Sequence, residues 1–220
     1  MKKSFLVGLI VVFCLTGLVL TTTAGQQGQK PKMMGHMMQM APTRSIVELR
    51  TAMRKLWEDH ITWTRCYIIS ALAKLEDVNA VAQRLLANQD DIGNAIKPLY
   101  GEEAGKKLAG LLRDHILIAT EVVKAAMTSV GLPEAQKKWT DNADAIAVFL
   151  SGANPNWAKA DLMDMLHKHL VFTTDEVVSR LKKDWVADIA AYDKGHVHML
   201  NFADVLTHGI VMQFPDKFKE

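Results

Sequence analysis

The stretch Leu111-Leu112-Arg113-Asp114-His115-Ile116-Leu117-Ile118-Ala119-Thr120-Glu121-Val122-Val123 decides the fold. Leucine or a β-branched residue recurs three or four places apart, which is the period of one buried helix face. His115 sits on that face. The pattern returns 54 residues later as Met165-Leu166-His167-Lys168-His169-Leu170-Val171-Phe172-Thr173-Thr174-Asp175-Glu176-Val177-Val178, with His169 in the place of His115. A polar ring set twice in the same apolar surroundings points to a site inside a helical bundle.

Working outward, the same period predicts helices over about 45–75, 102–130, 157–183 and 184–214, with a weaker stretch over 77–99 and a shorter helix over 133–152. The weak stretch carries a candidate break at Asn88-Gln89-Asp90-Asp91 and stops at Pro98 and Gly101. Glu102 and Glu103 suit a helix N-terminus, and Gly131 with Pro133 ends one helix and opens the next. No run alternates with period two. The expected fold is all-α: an antiparallel up-and-down bundle of four long helices about 40 Å long, with two shorter connecting helices. The echo around the two histidines suggests an internal duplication. Gly195, inside the last helix, costs about 1 kcal/mol against alanine and predicts a kink or a close contact.

Residues 1–24 read as a secretion signal: Lys2-Lys3, an apolar run over residues 5–20, then Thr22-Thr23-Ala24 as a cleavage site. An uncleaved anchor through residues 5–20 is the alternative, which would tie an otherwise exported chain to a membrane. Residues 25–43 form a linker holding Met33, Met34, His36, Met37, Met38 and Met40, and the domain follows over 44–215. Thioether and imidazole suit soft ions, copper(I) above all. Without Lys2 and Lys3 the chain has 24 basic and 24 acidic residues. That neutrality argues against a nucleic-acid partner, which needs a basic surface. Removal of the signal leaves Cys66 as the one cysteine, so no internal disulfide forms.

His60, His115, His169 and His196 each fall near the middle of a long helix on its apolar stripe. In a bundle those midpoints share one layer, so the four rings are expected to meet and to suit a copper- or zinc-class ion. Glu176, Asp193, Asp204 and His208 are second-tier ligands. The di-iron Glu-x-x-His pair is absent, as are the nucleophile-elbow, phosphate-loop, dinucleotide and zinc-protease motifs. Nucleotide binding and nucleophilic hydrolysis therefore have no support.

Leu56-Trp57-Glu58-Asp59-His60-Ile61-Thr62-Trp63-Thr64-Arg65, with Leu112-Arg113-Asp114-His115 and the turn Lys97-Pro98-Leu99-Tyr100-Gly101, resembles a family of small exported or membrane-anchored helical proteins of uncharacterised function, over about 44–215. The resemblance implies a helical fold and matches His60, His115 and His169; it supplies no catalytic residue. His196 and the Met-rich linker are particular to this chain. Glycosyltransferase and acetylglutamate kinase labels attached to such proteins imply nucleotide or sugar-phosphate motifs that this sequence lacks. Three readings stand in order: a non-enzymatic metal-binding bundle, a structural, interaction or sensor bundle without metal, and a metal-dependent oxidoreductase that would use an open coordination position beside Tyr192 or Trp57.

Overall fold

The structure is a computed structural model that describes residues 42–219. The signal and the Met-rich linker, His36 included, lie outside the described residues. The described residues form six α-helices: α1 (Arg44–Ala73), α2 (Val78–Tyr100), α3 (Glu102–Thr128), α4 (Leu132–Ala153), α5 (Lys159–Leu181) and α6 (Trp185–Gln213). A short 3-10 turn, Pro215–Phe218, follows. The boundaries fall where the caps dictate. Thr43 Oγ1 accepts from Ile46 N at the start of α1. Lys74 and Ser129 take left-handed conformations at the ends of α1 and α3, and Gly101, at φ 88°, separates α2 from α3. Among the described residues no helix is long and apolar enough to cross a membrane.

The expected division into four long helices and two connectors does not hold. α2 and α4, at 23 and 22 residues, match α5 at 23. Nor is α2 broken at Asn88–Asp91. Asn88 and Gln89 are fully buried and hydrogen-bonded there, so their polarity marks an inward face, not a turn. Pro98 sits in the last turn of α2, which continues to Tyr100.

Consecutive helices pack antiparallel, and α6 packs back on α1, so the six close into a ring. α1, α3 and α5 therefore run parallel to one another, and each touches the other two at the centre. Their sequences are in register. Three residues before each histidine stand Trp57, Leu112 and Leu166; seven before stand Met53, Leu108 and Leu162; all six belong to the main core. Eight residues after each histidine, Ile68, Val123 and Val177 pack into one cluster.

The outer helices repeat as well. Asn88 Nδ2 on α2 donates to Leu56 O at 3.0 Å. Asn142 Nδ2 on α4 donates to Leu111 O at 3.1 Å. His198 Nε2 on α6 donates to Met165 O at 2.7 Å. Each acceptor carbonyl lies four residues before a core histidine, and the donors follow those histidines by 28, 27 and 29 residues. The architecture is thus three helical hairpins arranged around a central axis, where the sequence suggested two copies. The ring is tied at its seam: Thr43 Oγ1 donates to Phe218 O at 2.8 Å.

Candidate functional site

Three of the four expected rings meet. His60, His115 and His169 are 2%, 3% and 2% exposed. Their ring centroids lie 6.4 Å (His60–His115), 5.4 Å (His60–His169) and 5.9 Å (His115–His169) apart. Parallel inner helices in register bring residues 55 and 54 positions apart to one depth. Trp57 packs edge-on beneath His60, 5.6 Å between centroids.

The hydrogen bonds define the cluster's chemistry. His115 Nδ1 pairs with Asn142 Oδ1 at 2.8 Å, and Trp139 Nε1 donates to His115 Nε2 at 3.2 Å. An indole can only donate, so His115 Nε2 is an acceptor and Nδ1 carries the proton given to Asn142. The Asn142 amide nitrogen is fixed in turn on Leu111 O. His60 Nε2 and His169 Nε2 face each other at 3.4 Å. Their Nδ1 atoms are buried without hydrogen-bond partners, and so is Gln89 Oε1.

All three rings are held neutral. Burial pushes His60 down to about 3, assisted by repulsion from His115, and Gln89 opposes this only in part. Burial likewise lowers His115 to about 4, against the favourable bond to Asn142. His169 lies well below its ordinary value, first through burial and then through His60, His115 and His198. Neutral imidazole is the form that ligates metals.

The remaining expected ligands stand elsewhere. His196 is turned outward, its Nε2 3.1 Å from Glu58 Oε1. The reason is a phase error on α6. Its first turns bury Asp188, Ala191 and Gly195, while Trp185 and Ile189, on the expected stripe, are exposed. Glu176 is buried but bound by Arg65 at 2.8 Å. It shares that guanidinium with Asp188, which Arg180 also holds at 2.9 Å. Burial raises the Glu176 carboxyl to about 7 despite Arg65. Asp193 is exposed. Asp204 is clamped by Arg50 and Arg54, and His208 is half-buried further along α6. Cys66 is a half-buried free thiol. Tyr192 packs at a tilt against His196 and takes the Arg65 guanidinium on its face.

Sequence reasoning missed Asn142, Trp139, Gln89 and His198. The signal that would have found them is their offset from the core histidines. Among the described residues, no three His, Cys, Asp or Glu side chains stand ready in a geometry that could hold a metal ion. At His115 the Trp139 N–H occupies the Nε2 lone pair. No family model, curated protein or solved structure matches the chain.

Proposed function

We propose that the protein holds one ion of the copper or zinc class on His60, His115 and His169 and does so without catalysing a reaction. One relationship carries the reading: the Nε2 atoms of His60 and His169, from different hairpins, face each other at 3.4 Å. Two imidazole ligands of a tetrahedral ion with bonds near 2.0–2.1 Å stand about 3.3 Å apart. His115 supports it. Metal-bound histidines almost always give their other N–H to an oriented acceptor, and the Asn142 amide does this at Nδ1, leaving Nε2 as the ligating atom. Ion capture would require Trp139 to release that nitrogen. His196 has no part in this set. The Met-rich linker is proposed, from its composition alone, as a carrier of a soft ion to or from the core.

A second reading is a bundle whose histidines only hydrogen-bond. The complete pairing of His115 with Asn142 and Trp139 favours it. Metal analysis of the purified chain after exposure to copper(I) and zinc separates the two. The metal reading expects about one ion per chain in protein lacking residues 1–41, lost in His169→Ala and retained in His196→Ala. No bound ion in the wild-type domain would leave the second reading.

A further inference from the structure

Beside the three rings lies a cavity of about 70 Å³ bordered by His60, His115 and His169. Its other walls are mainly aliphatic, among them Ile68, Ile116, Val123 and Val177, and no Asp, Glu, Lys or Arg lines it. Three of the four hydroxyls that border it are engaged. Thr64 donates to His60 O at 2.7 Å, Thr173 donates to His169 O at 2.9 Å, and Tyr67 pairs with Thr120. A groove between α4 and α5 shares Gln136, Trp139 and Thr174 with this cavity, which gives it a way to the surface.

We infer that the cavity admits a small uncharged molecule of about diatomic size, bearing one lone pair, to the ion proposed above. The inference rests on that metal reading. Three imidazoles leave the fourth tetrahedral position open, and all three border this chamber. Size sets the upper limit. One water needs about 10–15 Å³ of such space, and a cavity near 150 Å³ is what admits benzene. Charge sets the class, because an anion or cation would lose its hydration along apolar walls that offer no counter-charge before the ion. The ligand lends its lone pair to the ion; no electron is transferred and no bond within it breaks.

Carbon monoxide on the copper(I)-loaded domain and xenon on the metal-free domain test this. The expected results are one sharp C–O stretching band that moves with 13CO, and xenon-dependent shifts of the Ile68, Val123 and Val177 methyl signals. Ala119→Leu and Ala126→Leu fill the chamber from α3 and leave all three histidines in place. At least one of them, still helical and still binding one copper, should lose both signals. Copper bound with no carbonyl band, or a band unchanged in both filled variants, overturns this inference alone. Absence of xenon shifts removes the chamber. Failure to bind copper at all overturns the metal reading and this one with it.

Discussion

His60 Nε2 and His169 Nε2 stand 3.4 Å apart although 109 residues separate them in the chain. Neither ring is charged, so one nitrogen must donate and the other accept. The donor ring then carries a bare Nδ1, and the acceptor ring carries an Nδ1–H. Gln89 Oε1 is an unpaired acceptor that favours a proton on His60. With the Gln89 amide favouring a proton on His60, the expected arrangement protonates His60 at Nδ1 and His169 at Nε2. Long-range 15N–1H correlation spectra of the metal-free domain should show these two tautomers, and Nδ1–H for His115. A His60 protonated at Nε2 would contradict the assignment.

Trp139→Phe keeps an aromatic ring but removes the hydrogen bond to His115. A buried hydrogen bond contributes about 0.5–1.5 kcal/mol net, so the metal-free variant should be less stable by about that amount. The same change frees His115 Nε2. Zinc affinity, measured by competition with a chelator, should rise by up to about tenfold. Weaker binding would show that Trp139 supports the site and does not compete with the ion.

Acid should unfold the metal-free domain early. An unfolded histidine gains its proton near pH 6.5, whereas His60 and His115 resist down to about 3 and about 4, and His169 also titrates low. The unfolded state then binds more protons, and stability falls as pH drops below about 6.5. Glu176 acts in the opposite sense. Its folded value of about 7 exceeds that of a free carboxyl, so it costs stability as pH rises from about 4.5 to 7. Three protons against one make the histidines prevail, so net stability falls as the pH drops through about 5. Urea midpoints between pH 4.5 and 7.5 measure it, and a flat profile would refute burial of the neutral rings.

The two buried glycines of α6 should behave oppositely. A Cβ on Gly195 would meet Phe172 Cβ at 3.5 Å and Ile61 Cδ1 at 3.7 Å, which is ordinary contact. Gly195→Ala should therefore stabilise by up to about 1 kcal/mol through helix propensity. A Cβ on Gly209 would collide with the Trp157 indole, itself 3% exposed. Gly209→Ala should cost about 1–3 kcal/mol or more. Thermal melts of the two variants should shift in opposite directions.

The helices were legible because their period and punctuation agree: Gly101, Gly131 and the Asn154-Pro155 turn all fall at helix ends. The three central histidines were legible for the same reason, since α1, α3 and α5 each carry one clear stripe. α6 was not. It buries Asp188 against Arg65 and Arg180 and leaves Trp185 and Ile189 outside, so hydropathy points the wrong way over its first turns and misplaces His196. The third repeat was hidden because the helix equivalent to α2 and α4 replaces asparagine by His198. At the position of Trp139, the other outer helices carry Leu85 and Gly195. The repetition survives in which carbonyl is bonded, and scarcely in the letters.

The bond from Thr43 to Phe218 brings the two ends of the domain together at the seam of the ring. Since every hairpin packs on two neighbours, no junction between hairpins is privileged. Circular permutants with Thr43 joined to Phe218 through a short peptide, and with new termini cut at Gly101 or at Asn156, should fold to the same histidine arrangement. The order in which the hairpins are synthesised is then a matter of history, while their cyclic succession is what specifies the molecule.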